Sequence, residues 1–170
     1  INLDCEQAKI HYENAIKIDS NFVSAKASLG NLLFECFDKE EGRKWIEEAI
    51  TSLDHLTERE QYGILAFHAV NVENDLAKGI EYTKSRIDLY PDDPVARNNL
   101  GWYYHNSGMY EKAVTEYKRA VELDPYLMLA YSGLLWIQTE KLARLESSMV
   151  WSETMIQKTP DNQWGYFSLG

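Results

Sequence analysis

The chain has 170 residues, 45% hydrophobic and 12% aromatic, and its 27 Asp and Glu against 17 Lys and Arg give a net charge of −10. That apolar share can bury a continuous core, while the anionic excess repels a phosphate backbone and sets nucleic acid aside as a partner. No apolar run approaches the roughly 20 residues of a membrane span and no basic, then apolar, leader opens the chain, so no membrane partner and a cytoplasmic setting are expected.

From the N-terminus, Ala8, Tyr12 and Ala15 recur at helical spacing and read as a second helix without its partner, a half repeat over residues 1–22. Residues 23–56 carry Leu29 and Gly30 on a first helix and Gly42 and Ala49 on a second. A helix-breaking DHLTERE stretch follows, in which Thr57 and Glu60 form a capping box. Residues 60–93 place Ala66 and Phe67 on the first helix and Gly79 on the second, and end at Pro91; Arg86 stands where the next copy has Ala120, which predicts a loosely packed pair. Residues 94–127 are the clearest copy. Asp93 caps the helix ahead of Pro94, Leu100 and Gly101 precede Tyr104, and Gly108 supplies a left-handed turn. Ala113, Tyr117 and Ala120 then recur at helical spacing before Pro125. Residues 128–162 repeat the pattern with Leu134 and Leu135, one inserted residue, Ser148, Ser152 and Met155 at the Ala, Tyr and Ala places, and a close at Pro160. Leu169 and Gly170 open a truncated repeat over residues 163–170. A chain that starts without Met and stops inside a repeat is expected to be a fragment, with ends that fray or are covered by a neighbour. No segment alternates long enough for a strand, so the class is all-α, with about nine helices of roughly 10–14 residues.

The 34-residue spacing of Leu100, Gly101, Tyr104, Ala113, Tyr117, Ala120 and Pro125 resembles the tetratricopeptide repeat (TPR) family. The resemblance implies a right-handed TPR superhelical solenoid of antiparallel helix pairs, one domain over residues 1–170, that binds a peptide or protein segment in a groove lined by the first helices. The partner-binding places it implies are Asn31 and Phe34; Ile64, His68 and Asn71; Asn98, Trp102, His105 and Asn106; and Ser132, Trp136 and Thr139. Trp102 and Trp136, one repeat apart, should stand side by side. The same face carries Glu35 and Glu140 but no Lys or Arg, so the carboxylate clamp of some members is absent; the asparagine ladder of others is absent too. Two further functions are implied. The run from LTEREQYGILAFHAV to DLAKGIEYTKSRIDLYPDDPVARNNLGWYY looks similar to repeat regions of bacterial kinase- or cyclase-linked signalling proteins, which implies a regulatory or sensory domain. The cut repeat ends would also serve self-assembly into a homo-oligomer.

Catalysis finds no support among the motifs. His11, His55, His68 and His105 lack metal-ligand spacing, and the glycines form no phosphate loop, dinucleotide fingerprint or nucleophile elbow, so a non-enzyme without metal or cofactor is expected. Cys5 and Cys36 read as separate, semi-buried small hydrophobes of a reducing compartment.

Overall fold

In the computed structural model, residues 3–159 are described, and they form nine α-helices with no strand among them. Contacts group the chain into two compact units, Ile1–Arg86 and Ile87–Gly170, with the boundary inside the fifth helix. The truncated repeat expected over residues 163–170 lies outside the described residues.

In the first unit, α1 (Leu3–Ile18) packs on α2 (Val23–Cys36), which forms a hairpin with α3 (Lys39–Ile50). Asp38 starts α3 by accepting hydrogen bonds from the Glu40 and Glu41 amides. The hairpin is tightest where two glycines meet. A Cβ on Gly30 would come 2.8 Å from Ile46, and one on Gly42 would come 2.7 Å from the Gly30 carbonyl, so neither position has room for a side chain. A 3₁₀ turn, Leu53–His55, leads to α4 (Glu58–Asn71). The capping box expected there is present: Thr57 Oγ1 accepts from the Glu60 amide while the Glu60 carboxylate accepts from the Thr57 amide. Thr57 and Ser24 hydroxyls also donate to that carboxylate, and these bonds, Thr57's first, hold its pKa below the usual glutamate value. Val23, Ala27, Ala49 and Ile64 make the core beneath. Helix α5 (Leu76–Leu89) begins in this unit, with Arg86 against Gly63 of α4.

The cysteine expectation is overturned. Cys5, near the start of α1, and Cys36, at the end of α2, are joined as a disulfide with Cα atoms 6.6 Å apart. Successive helices that run back on one another bring the start of the first to the end of the second, so a separation of 31 residues becomes a contact.

The second unit contains α6 (Pro94–Asn106), α7 (Tyr110–Leu123), α8 (Met128–Trp136) and α9 (Leu145–Lys158). Asp93, 2% exposed, caps α6 through the Val95 and Ala96 amides. Tyr117 explains the small residues around it. Its ring lies 2.8 Å from where a Cβ on Gly101 would be, and a Cβ on Gly133 would collide with it, so one aromatic fills the space that two glycines leave. Burial pushes its phenol pKa up. The inserted residue of the last repeat is absorbed by a π-turn, Ile137–Lys141, that continues α8.

Candidate functional site

The sequence-predicted residues divide between the units and are held differently in each. In the first unit, Asn31 and Phe34 lie on α2, and Phe34 meets Phe67 of α4 edge to face at 5.7 Å, with Lys39 Nζ 5.3 Å from the Phe34 ring centre. Ile64 differs from the other predicted residues. It is 8% exposed and packs with Val23, Ala27 and Ala49, so its side chain belongs to the core and offers almost no surface. His68 Nδ1 sits 3.6 Å from a Glu73 carboxylate oxygen, and the Asn71 amide donates to the Phe67 carbonyl.

In the second unit the first-helix face is more open. Trp102 on α6 and Trp136 on α8 are each 42% exposed. Val95 (44%) and Leu129 (70%) stand seven residues before them, two helical turns back on the same face. Trp136 stacks on His105, with ring centres 4.5 Å apart and planes 29° from parallel, while Trp102 meets Tyr103 edge on. Lys141 Nζ lies 4.8 Å from the Trp136 ring centre. Partial burial, and then the Lys141 charge, lower the His105 pKa, so near neutral pH the imidazole stacks as an uncharged ring.

The polar members of the set are partly committed to their own helices. Asn106 donates to the Trp102 carbonyl, Ser132 Oγ to Met128 and Thr139 Oγ1 to Leu135, while Asn98 donates to Asn99 Oδ1. Asn98 Oδ1 is itself buried, so the polar surface of this face comes chiefly from Asn106 and Ser132, both exposed. Among the described residues no His, Cys, Asp and Glu cluster could hold a metal, and no helix is long and apolar enough to cross a membrane. A cavity of about 280 Å³ beside Lys26 and Glu48 is lined by two charges already paired to each other at 2.6 Å.

Two residues of this face escaped the sequence reading. Leu129 was within reach, because it stands 34 residues after Val95. Lys141 was not. Five residues along a regular α-helix would turn it about 140° from Trp136, and the π-turn's wider winding brings it back over the ring. The expectation of a face without Lys or Arg is thereby corrected, since Lys39 and Lys141 cover aromatic rings on it.

Residues 94–127 match the family described as tetratricopeptide repeat. The photosystem I assembly protein Ycf3 of Rippkaea orientalis (strain PCC 8801 / RF-1) is 33% identical over 78 residues, which is 38% of this chain and 44% of that protein, so the match spans less than half of that relative. Among solved structures, YrrB, described as a TPR protein with an unusual peptide-binding site, superposes with a TM-score of 0.60 at 21% identity, covering 97% of this chain and 83% of its own. PilW, a widely conserved type IV pilus biogenesis factor, gives a TM-score of 0.69 at 16% identity, covering 92% and 71%. Residues 94–127 are therefore a tetratricopeptide repeat, set in a chain whose all-α fold is that of the TPR solenoids.

Proposed function

We propose that the chain is a non-catalytic scaffold that holds an apolar segment of a partner protein against its first helices, with α6 and α8 supplying most of the hold. The TPR fold supports a protein-interaction role, and a curated relative is named for assembly. The observation that carries the proposal is the repetition of exposed apolar side chains at the same two places of adjacent repeats, Val95 with Trp102 and Leu129 with Trp136. A solenoid leaves large hydrophobics at matching outer positions when a partner covers them. The exposed polar side chains of Asn106 and Ser132 on the same helices suit a peptide backbone, whose polar groups are the same whatever the sequence.

The test begins with an array of synthetic ten-residue peptides, from which the tightest binder is carried into titrations. Replacing both Trp102 and Trp136 by Ala is expected to weaken that binding by a factor of about 100 or more, as buried aromatic anchors contribute roughly 2 kcal/mol each. The melting temperature should change little, since over two-fifths of each indole surface is already in solvent. Unchanged affinity, with a stability loss of about 3–5 kcal/mol instead, would show that the indoles are packing residues.

One observation favours a second reading, self-assembly. Leu145 and Met149, one turn apart on α9, are 64% and 53% exposed, with Val150 beside them at 59%. Light scattering of the wild type beside Leu145→Glu checks it: a dimer that the substitution dissolves supports association through α9, and a wild-type monomer removes the reading.

A further inference from the structure

We propose that Cys5 and Cys36 form a redox latch that fastens α1 onto α2 when oxidised and frees it when reduced. The chain has two cysteines, and the fold brings them together from 31 residues apart. A Cα separation of 6.6 Å lies inside the range that a disulfide spans without moving the backbone.

What the latch holds is otherwise weakly held. Every described side chain of α1, from Asp4 to Ile18, keeps part of its surface in solvent, and Ile10 and Ile18 are 53% and 88% exposed. None of the fully buried residues of the first unit comes from this helix. Lys9 over the Phe37 ring at 5.2 Å is a surface contact of small worth, and Lys9 pairs at 3.9 Å with Glu13 of its own helix. The cross-link thus adds a covalent constraint to a helix that otherwise rests on α2 through half-buried side chains. Closing a loop of this length lowers the population of the detached state by roughly 100-fold.

Closure needs a disulfide oxidant. One cysteine thiolate attacks a sulfur of the oxidant, forming a mixed disulfide and releasing one thiol; the second cysteine thiolate then displaces the other thiol. Two thiol hydrogens and two electrons pass to the oxidant, whose S–S bond becomes two S–H groups. Glutathione in its oxidised form is such a reagent, and in its reduced form it runs the step backwards. The latch is therefore closed in an oxidising compartment and open in a reducing one.

The experiment places the folded chain in oxidised or reduced glutathione and reads thiol alkylation and backbone amide exchange. In oxidised buffer neither cysteine should alkylate; in reduced buffer both should, and amides across Leu3–Ile18 should exchange at least tenfold faster while those of α6 and α7 keep their rates. Cys5→Ser, Cys36→Ser and the double variant should all match the reduced wild type, because losing either sulfur removes the whole bridge. Alkylation of both thiols in oxidised buffer, or α1 exchange that ignores the redox state, overturns the proposal. So do losses in the single variants that add up in the double, since additivity marks two independent packing residues.

Discussion

Arg86 stands at the place Ala120 occupies one repeat later, where a long side chain should force two helices apart. Gly63 gives it room: a Cβ there would come within 2.7 Å of the Arg86 guanidinium. The following repeat reverses the sizes, with Arg97 at the place of Gly63 and Ala120 at the place of Arg86. Gly63→Ala should therefore stabilise the Arg86→Ala background by about 1 kcal/mol, the ordinary helix preference for Ala over Gly. In the wild type the gain should be smaller, as Arg86 has to move. Denaturant titration of the four proteins checks this, and equal gains in both backgrounds would break the link between the two residues. His105 offers a second test. Its folded pKa lies below the value of 6.5 that it regains on unfolding, so the unfolded chain binds protons more readily. This contribution to stability is whole above pH 6.5, shrinks as pH falls through 6.5 towards the folded pKa, and changes no further below it. A melting temperature that drops over that window in the wild type, and less in His105→Gln, is the expected outcome.

Three helix hairpins are closed by a residue in the left-handed region, Asn74 at φ 58°, Gly108 at 73° and Ala143 at 49°, whereas α2 and α3 are joined without one. Gly108 follows Asn74 by 34 residues, whereas Ala143 follows Gly108 by 35 and comes just after the π-turn. The extra residue widens one turn of α8 and leaves the hairpin closure otherwise unchanged. Ala143 lacks both the freedom of Gly and the side-chain hydrogen bond of Asn, and left-handed backbone costs an ordinary residue roughly 1–2 kcal/mol. Ala143→Gly should recover part of that, a net gain of about 0.5–1 kcal/mol after the added entropy of the unfolded chain. Gly108→Ala should lose about 1 kcal/mol; parallel melts of the two variants against the wild type give both signs. At this scale the sequence is legible where volume and spacing decide. Thr57 with Glu60 and Asp93 before Pro94 each act in the predicted way, because each depends on residues within one helical turn of one another. Ile64, Lys141 and the cysteine pair were not legible. Burial of Ile64 is set by Val23, Ala27 and Ala49 of other helices, Lys141 by a change of helical winding, and Cys5 by the path of α2 beside α1.

Charge is the property that belongs to the whole molecule. A net charge of −10 attracts a basic partner from a distance, yet at physiological salt the attraction fades within about 8 Å. Contact on the first-helix faces obeys different terms. Glu140 there is followed by Lys141 over Trp136, and in the first unit Glu35 is offset by Lys39 over Phe34, so each face is close to local balance, and the exposed apolar area lies on α6 and α8. Steering and holding should then separate in experiment. For an uncharged peptide chosen from the array, affinity should change by less than about threefold between roughly 50 and 500 mM salt, because burial of Trp102, Trp136, Val95 and Leu129 depends little on screening. A Lys-rich peptide should instead lose association rate by more than about tenfold over the same range, with a dissociation rate that stays nearly constant. Stopped-flow fluorescence of the native tryptophans reads both rates. If the uncharged peptide loses affinity steeply with salt, its hold is electrostatic, and the partner belongs on the acidic outer surface and not on the face formed by α6 and α8.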